Sequence, residues 1–361
     1  MHLLQYAHKV IKNSSSFIAD STRTYVLSLL LSIGKKNCAA MSDELGIPYK
    51  SIYRYFDEFK CKRALMENFF TDLANSFATT ENPGVLLVDT TQIMKLYSKE
   101  SKMLCYDFNG SMKSIFKGLS CVTAAWCNGE ILVPLDFDFW VREKDIKDGR
   151  KYKKKTTIAQ GLILKWKDKV KFAYLSLDGD YGNEAFLRFL HQNKLLYAIR
   201  MPKNRKVSMN NRPEKTLKDQ PFFHLKRNER YKTTRCNYKG IKTYVTCQKR
   251  KGHNNTKQIV FVVSNLEKLS PKEYIEAYEL RWSIEKMFRT TKQHLGLQHC
   301  QSISEEKQRA HIFAIFLAFT ELELQKIDKK KKSPEAILKV IRNQNHVKIN
   351  QLIIDWEGFI M

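Results

Sequence analysis

Four side chains in the segment YELRWSIEKMFRTTKQ carry functional groups that could act together in one site: Tyr278, Arg281, Glu285 and Lys292. A helix advances about 100° per residue, so on one continuous helix these four fall within a stripe about 60° wide. The apolar residues of the segment fall on the opposite side, which would pack on a sheet. The plain alternative is a solvent-exposed ladder of ion pairs, which contributes little to stability.

Two segments elsewhere in the chain end a buried apolar run in an acidic residue. GVLLVDTTQI (84–93) carries Asp89, and FAYLSLDGDYG (172–182) carries both Asp178 and Asp180. Both runs are typical of buried strands. Two strand-borne carboxylates and a helical glutamate can hold two Mg²⁺ ions, which prefer oxygen ligands and can activate an attacking oxygen at a phosphodiester. Without cations such a cluster would repel itself.

Other candidate sites are weaker. LDFDF places Asp136 and Asp138 on one face of a strand, where a solvated strand edge is favoured over metal binding. The nine histidines show no HxH or HExxH spacing, which argues against zinc chemistry. No GxxxxGK[ST] loop is present, so ATP is not implied.

The elements before residue 84 read as helical. Apolar positions recur at three- and four-residue spacing through residues 1–80, and the first turn signal is ENPG (81–84). Within this stretch, residues 38–59 have the layout of a helix-turn-helix, with a short helix, a Gly-Pro turn and a second helix. A helical pair that only packs on its neighbour is an equal alternative. If the motif binds DNA, the side chains that recognise the DNA sequence are predicted to lie on the second helix: Tyr49, Lys50, Tyr53 and Arg54.

The central part of the chain reads as strands and helices in alternation. A hairpin is predicted around the Asn128-Gly129 pair, and a long helix is predicted to begin near Pro271. Between the second acidic strand and that helix lies a polar, β-leaning insertion, residues 203–257, with 17 basic against 3 acidic residues. The insertion is predicted to contact DNA phosphates. One basic run within it serves as the example for a test: Lys249, Arg250 and Lys251.

The whole chain of 361 residues carries a formal net charge of +26. Such an excess favours polyanionic partners, with nucleic acid first and an anionic membrane surface second. Because no stretch of eighteen apolar residues and no cleavable signal pattern is present, we expect no membrane association. The composition therefore favours a globular protein that binds nucleic acid.

The spacing Tyr278-x2-Arg281-x3-Glu285-x6-Lys292 resembles the Y-R-E-K signature of DDE transposases from bacterial insertion sequences, of the insertion sequence four type. LVDTT and LDGDYGNEAFLRFLHQNKLLYAIRMPKN are similar to the segments around the first and second catalytic aspartates of that family. The similarity covers roughly residues 84–300. Because the family pattern places a tyrosine three residues after the second acid, it selects Asp178 over Asp180.

The resemblance implies an α/β fold with a ribonuclease-H-like catalytic domain. This would be a five-stranded mixed sheet with helices on both faces, interrupted by the β-rich insertion. Together with the helical patterns at both ends of the chain, the expected organisation is a helical N-terminal DNA-binding domain (1–80), a catalytic domain (84–301) with the insertion at 203–257, and a helical C-terminal region (302–361). Some relatives hold a flipped base with a tryptophan in the insertion; here the aromatic candidates are Phe222, Phe223, Tyr231, Tyr238 and Tyr244.

The resemblance also implies the roles of the site residues. Asp89, Asp178 and Glu285 would bind two Mg²⁺ ions, with Mn²⁺ as an alternative. Arg281 and Lys292 would contact DNA phosphates near the cleaved end, and Tyr278 would support the same end.

The expected activity is cleavage of double-stranded DNA at the element's ends, followed by strand transfer into target DNA. The active complex is expected to be a homodimer in the bacterial cytoplasm, at the nucleoid. Two alternatives stay open: a ribonuclease-H-like nuclease without strand transfer, and a catalytically inactive DNA-binding protein derived from a transposase.

Overall fold

The structure is a computed structural model that describes residues 20–110, 112–209, 212–251 and 257–344. Nine α-helices run through the described residues: α1 (Asp20–Leu31), α2 (Cys38–Leu45), α3 (Tyr49–Phe77), α4 (Lys155–Trp166), α5 (Glu184–Gln192), α6 (Pro271–Glu279), α7 (Trp282–Gln293), α8 (Glu305–Asp328) and α9 (Pro334–Gln344).

The same residues form eleven β-strands: β1 (Val85–Met94), β2 (Cys105–Asn109), β3 (Ser114–Cys127), β4 (Leu132–Trp140), β5 (Tyr174–Leu177), β6 (Tyr197–Met201), β7 (Lys206–Val207), β8 (Lys215–Thr216), β9 (Tyr231–Tyr238), β10 (Ile241–Lys251) and β11 (Lys257–Ser264). The mixed α/β class expected from the sequence is confirmed. None of the helices in the described ranges is both long and apolar enough to cross a membrane.

The chain divides into two compact units. Unit 1 comprises the described residues of 1–83, 90–171 and 284–361, and unit 2 comprises residues 84–89 and 172–283. The helices before residue 80 therefore share a unit with those after residue 302. The sequence-based boundaries of 1–80, 84–301 and 302–361 stay a prediction about how the chain is organised.

Unit 1 is organised around α8, which is buried on almost every face between Ala310 and Leu324. A helix that is apolar all round must be enclosed by other elements. Here α3 supplies the Tyr55 hydroxyl, which donates to the Ala310 carbonyl oxygen over 2.7 Å. The β3–β4 hairpin also packs on α8, with the Phe137 and Phe313 ring centres 5.2 Å apart. These contacts make the N-terminal helices part of the core of unit 1.

The predicted hairpin at Asn128-Gly129 is confirmed. Gly129 has φ 93°, a left-handed conformation that glycine adopts without a Cβ clash. The Asn128 side-chain oxygen accepts from the backbone N–H groups of Glu130 and Ile131, each over 3.0 Å. Strands β3 and β4 then pair antiparallel on either side of this turn.

Unit 2 is built on a mixed sheet. Strand β5 pairs parallel to both the first half of β1 and β6, and β6 pairs antiparallel to β11. The residues of β1 from Val85 to Val88 are all buried, as expected for a parallel strand covered on both faces. Strands β9 and β10 of the insertion join this sheet through β11, so the insertion extends the sheet.

A buried histidine joins α1 to α8 within unit 1. The Tyr25 hydroxyl lies 2.8 Å from His311 Nδ1, and His311 Nε2 lies 2.9 Å from the Gly296 carbonyl oxygen. Because a carbonyl oxygen only accepts, Nε2 carries the proton and Nδ1 accepts from the tyrosine. Burial lowers the pKa of His311 to about 3, so the ring is neutral at pH 7.

We expect His311 to make the stability of the protein depend on pH. Between pH 6 and 4 the unfolded chain protonates this histidine, whose unfolded pKa is about 6.5, while the native ring stays neutral. The unfolded state then binds more protons, so this group lowers the free energy of unfolding by about 1.4 kcal/mol for each unit that the pH falls.

Urea unfolding at several pH values measures this slope. His311→Gln should be less stable at pH 7 and lose that part of the slope, whereas His224→Gln, at an exposed histidine, should keep it. A His311→Gln slope equal to that of the wild type would show that another group causes the dependence.

Candidate active site

The register of the unit 2 sheet places Asp89 and Asp178 side by side. The parallel ladder between β1 and β5 ends with the pair Val88 and Leu177, and each aspartate is the next residue on its strand. Neighbouring strands lie about 4.8 Å apart, so both carboxylates start from adjacent backbone positions. Asp178 follows the end of β5, whereas β1 continues beyond Asp89 to Met94. The expectation that Asp89 ends its strand is therefore wrong.

The side chain that joins these aspartates is Arg281. Its Nη1 donates to Asp89 Oδ2 over 2.9 Å, and its Nε lies 4.0 Å from Asp178 Oδ1. The arginine is only 3% exposed, and the Asp89 and Asp178 side chains are 15% and 35% exposed. A buried guanidinium needs such partners, because an unpaired buried charge is costly.

Tyr278 supports the arginine from within unit 2. Its hydroxyl accepts from Arg281 Nε over 3.1 Å, and the guanidinium carbon lies 5.4 Å from the centre of the tyrosine ring. Burial raises the pKa of Tyr278, so the phenol is neutral at pH 7. The tyrosine is almost fully buried, and its described polar contact is with the arginine.

The predicted continuous helix through this segment is wrong. Helix α6 ends at Glu279 and α7 begins at Trp282, so the four signature residues do not share one helical stripe. The sheet explains the break. Ser176 Oγ donates to the Tyr278 carbonyl oxygen over 3.0 Å, and the Tyr174 hydroxyl donates to the Ala277 carbonyl oxygen over 3.3 Å.

These two carbonyl groups would otherwise accept from the next helical turn. The Arg281 N–H instead bonds to the Tyr278 carbonyl oxygen over 3.1 Å, in a tighter turn of three residues. The turn leaves the Arg281 side chain against Asp89. The start of α6 matches the sequence, with Pro271 in the first turn and a capping box between Ser270 and Glu273.

Glu285 and Lys292 belong to unit 1. Glu285 lies in the first turn of α7 and Lys292 in its last turn, and both side chains are half-buried. Acidic residues at the start of a helix and basic residues at its end suit the helix dipole. Asp89, Asp178, Tyr278 and Arg281 are thus brought together within unit 2, and the other two signature residues lie on the following helix.

The carboxylate oxygens that unit 2 brings together are suitable ligands for a hard divalent cation. Asp89 and Asp178 are neighbouring carboxylates, and Mg²⁺ in proteins is commonly bound by one or two carboxylates together with water and substrate phosphates. Across the ranges that the structure describes, no three acidic, histidine or cysteine side chains form a metal-binding group. The carboxylate pair therefore fits a metal that phosphate oxygens help to bind.

Asp178 and Asp180 differ in their surroundings. Asp178 lies next to Arg281, whereas the Asp180 side chain is exposed in the short 3₁₀ turn that follows β5. Gly182 closes this turn, and a Cβ there would lie 2.9 Å from the Arg200 carbonyl oxygen. The close backbone approach accounts for a glycine at this position.

Asp136 and Asp138 form ion pairs within unit 1. Asp136 is buried and its Oδ2 accepts from Lys165 Nζ over 2.5 Å, so the prediction of a solvated strand edge is wrong for this residue. Burial raises the pKa of Asp136. Asp138 accepts from Arg309 Nη2 over 2.5 Å. Each carboxylate therefore has a basic partner that packing provides.

The predicted helix-turn-helix has the expected elements. Helix α2 ends with Gly46 at φ 67°, and α3 begins at Tyr49 directly after Pro48. The predicted DNA-reading side chains, Tyr49, Lys50, Tyr53 and Arg54, are all exposed or half-exposed, and their neighbours on the other face are buried. The Tyr49 and Tyr53 rings stack with centres 5.5 Å apart. The helical pair is confirmed, and its role in reading DNA stays a prediction.

The basic run in the insertion is partly engaged within unit 2. Arg250 Nη2 donates to Glu279 Oε1 over 2.6 Å, and Lys249 Nζ donates to the Lys226 carbonyl oxygen over 2.8 Å. The side chain of Lys251 lies outside the described residues. These contacts could not be predicted from the charge count.

One aromatic candidate in the insertion stands out by exposure. Phe222 is 40% exposed, and Lys232 Nζ lies 5.7 Å from its ring centre. Phe223 and Tyr238 are buried. The remaining two, Tyr231 and Tyr244, are half-buried.

A basic groove of about 730 Å³ in unit 2 was not predicted from the sequence. It lies where β6 and β11 meet the insertion, and its basic lining residues are Arg200, Lys203, Lys218 and His224. Among the described residues, none that lines the groove is acidic. The sequence did contain one indication of this groove. Arg200 lies near the end of β6, which neighbours β5, the strand that leads to Asp178.

The fold and the site define an α/β protein with paired carboxylates suited to a divalent metal. A sequence model of the transposase DDE domain matches residues 133–320, slightly more than half of the chain. The chain belongs to the DDE transposase family, whose members are enzymes that act on DNA in transposition and recombination. The matched range contains Asp178 and Glu285 and begins after Asp89. The comparison with curated proteins found no match.

Proposed function

We propose that the protein is a DNA transposase that cleaves the ends of its element and transfers the freed strands into target DNA with the help of divalent metal ions. The observation that carries the proposal is the adjacent placement of Asp89 and Asp178 on parallel strands, both beside the buried Arg281. Strands fix carboxylates rigidly, as chemistry at a single phosphorus atom requires.

The proposed metal ligands are Asp89, Asp178 and Glu285, with two Mg²⁺ ions, or Mn²⁺ in their place. Bound ions of this kind stabilise the attacking and leaving oxygens of a phosphodiester. The contribution of the chain is to hold Asp89 and Asp178 at a fixed separation and to supply positive charge through Arg281.

The proposed contacts with the DNA end are Arg281 and Lys292, whose charges suit phosphate oxygens. Tyr278 is proposed to act indirectly, because its buried hydroxyl accepts from Arg281 Nε over 3.1 Å. It would orient the guanidinium and leave the contact with phosphate to the arginine.

The activity is tested with the full chain, a donor DNA that carries the element's ends, and a target plasmid, with and without Mg²⁺. Cleavage and joining of donor ends to the plasmid are expected only with the metal. Cleavage without joining would instead identify a nuclease, and DNA binding without cleavage would identify an inactive transposase-derived protein. The proposed active complex is a homodimer acting on DNA at the nucleoid.

Recognition of the element's ends is proposed to lie on α3. Lys50→Ala and Arg54→Ala should each lower the preference for end sequences, since a good contact with a base edge contributes about 1–3 kcal/mol of discrimination. Competition between end DNA and unrelated DNA in a binding assay measures this preference.

The control for this prediction is Lys60→Ala, an exposed lysine further along the same helix. Point substitutions in the full chain are needed, because α1 and α3 are part of the core of unit 1 and a chain starting at residue 81 would lose them. If the Lys50 and Arg54 variants discriminate ends as well as the control does, α3 serves as a scaffold.

The insertion is proposed to contact DNA phosphates. Replacing Lys249, Arg250 and Lys251 together by alanine should flatten the dependence of log affinity on log salt by about 0.9 for each phosphate that the variant no longer neutralises. Duplex binding measured over a salt series gives this slope. The triple alanine variant of Lys329, Lys330 and Lys331 removes equal charge elsewhere and is the control. An unchanged slope in the insertion variant would indicate that its basic run makes internal contacts only.

A further inference from the structure

The β2–β3 hairpin of unit 1 exposes an apolar face. Tyr106 and Phe108 alternate along β2, and Phe108 pairs directly with Ile115 on β3, as Tyr106 pairs with Lys117. Directly paired residues point to the same side of a sheet, so these four side chains form one surface, here called the hairpin face. The exposed fractions are 47% for Tyr106, 60% for Phe108 and 67% for Ile115.

The opposite side of the hairpin is fixed by packing. Cys105 and Phe116 are buried there. Between them Asp107 Oδ2 accepts from Lys155 Nζ over 2.6 Å and from Ser120 Oγ over 3.2 Å. The hairpin therefore has a buried side that holds it to unit 1, and the aromatic side faces solvent.

The charges around the hairpin face favour an anionic partner. Lys113 is exposed in the turn, and the half-buried Lys117 lies on the face itself, where its Nζ also donates to the Ser98 carbonyl oxygen over 2.8 Å. Three nearby acidic residues are paired with basic ones: Asp107 with Lys155, Glu100 with Lys147, and Asp145 with Arg142, which also lies 5.9 Å from the Tyr106 ring centre. A second copy of this chain packed face to face would bring its own Lys113 and Lys117 against these two lysines, whereas phosphate groups complement them.

The spacing of the rings fits unpaired bases. Residues i and i+2 of a strand lie about 7 Å apart, so Tyr106 and Phe108 can each stack on one base of an extended nucleic-acid strand. Aromatic rings beside basic residues are the common means of binding single strands without sequence preference. Duplex DNA keeps its bases stacked on each other and offers no such partner.

We propose that the hairpin face binds single-stranded DNA, with bases stacked on Tyr106 and Phe108 and phosphates beside Lys113 and Lys117. The proposal rests on the proposed action of the protein on DNA, and it adds a site for a strand that has separated from its complement. Ile115 would fill the space beside the Phe108 ring and shield the stacked base from water.

The experiment measures binding of the full chain to a fluorescein-labelled oligo(dT) strand and to a duplex of equal length, by fluorescence anisotropy. Stacking on one ring corresponds to roughly tenfold in affinity. Tyr106→Ala and Phe108→Ala should each weaken single-strand binding by about tenfold and leave duplex binding unchanged. The exposed Leu164→Ala, on α4, is the control and should change neither.

Two further substitutions at Phe108 separate stacking from general apolar contact. Phe108→Trp keeps an aromatic ring and should preserve single-strand binding, whereas Phe108→Leu keeps apolar size and should lose it. If both variants lose single-strand affinity equally, or if neither loses any, the proposal is overturned.

Other outcomes separate this proposal from the proposed function. Wild-type protein that binds duplex but not the single strand would overturn the hairpin site alone. Wild-type protein that binds neither would overturn both. A dimer by light scattering that Phe108→Ala dissociates, with single-strand affinity unchanged, would assign the face to a second copy of the chain and overturn the proposal.

Discussion

Asp89→Ala, Asp178→Ala and Glu285→Ala are each expected to reduce cleavage of end-bearing DNA by about 10³-fold or more, because metal-assisted charge stabilisation contributes several kcal/mol. DNA binding should stay nearly intact, since these carboxylates do not bind phosphates directly and the basic surface of the chain is unchanged. Cleavage is measured on labelled end DNA with Mg²⁺, and binding is measured separately without it.

The matched control is Asp180→Ala, which removes an exposed carboxylate two residues from Asp178. Its activity should fall much less, because Asp180 faces solvent and Asp178 lies next to Arg281. An inactive Asp180 variant beside an active Asp178 variant would reverse the assignment of the second ligand. Activity retained by Glu285→Ala would remove the helical glutamate from the proposed site.

The local pattern of the chain was sufficient to predict most of the elements that carry the site. The buried apolar runs became β1 and β5, the Asn-Gly pair became a hairpin turn, and Pro271 began a helix. These signals are local: alternation of apolar residues, a left-handed turn and a helix start depend on neighbours in sequence. The adjacency of Asp89 and Asp178 then follows from parallel pairing of their strands.

The break between α6 and α7 could not be predicted in the same way. The segment has helical periodicity throughout, and the carbonyl groups just before its interruption accept from hydroxyl groups of Tyr174 and Ser176 on a distant strand. The only indication of this contact in the sequence was Ser176, a polar residue within the buried apolar run of β5. Its partner, a helix carbonyl about a hundred residues later, is set only by the tertiary fold.

The charge pattern of the sequence predicted nucleic acid as the class of partner, but it did not predict which charged side chains pair with each other. Asp136 was expected at a solvated strand edge, yet Lys165 from a separate helix pairs with it and its side chain is buried. Likewise, the basic excess of the insertion is evident from composition, while the contact of Arg250 with Glu279 depends on how α6 packs. Pairing between distant elements is decided by packing.

Removing the guanidinium of Arg281 should destabilise the protein strongly. Arg281→Met removes the guanidinium that pairs with the partly buried Asp89, and breaking a buried ion pair from one side costs about 3–5 kcal/mol. Urea unfolding without divalent metal measures this loss. The double variant Arg281→Met with Asp89→Asn should recover part of it, because the uncompensated charge is gone.

Added Mg²⁺ should stabilise Arg281→Met more than it stabilises the wild type. In the wild type the guanidinium bonds to Asp89 Oδ2 over 2.9 Å and competes for the oxygens that the cation needs. In the variant the bond from the guanidinium to Asp89 Oδ2 no longer competes with the metal, and a ligand at a hundred times its Kd stabilises the folded state by about 2.7 kcal/mol. Unfolding is compared at matched ionic strength, so that screening is equal.

The control for the metal effect is Arg309→Met, which breaks the contacts of Arg309 Nη2 with Asp138 over 2.5 Å and with Glu305 over 2.8 Å in unit 1. That variant should lose stability as well, yet gain no more from Mg²⁺ than the wild type, because the carboxylates that it uncovers, Asp138 and Glu305, are not proposed metal ligands. Equal gains in the Arg281 and Arg309 variants would mean that Mg²⁺ acts on any uncovered carboxylate. A gain confined to Arg281→Met would place the cation at the carboxylates that Arg281 now occupies, and would make this arginine the internal countercharge of the metal site.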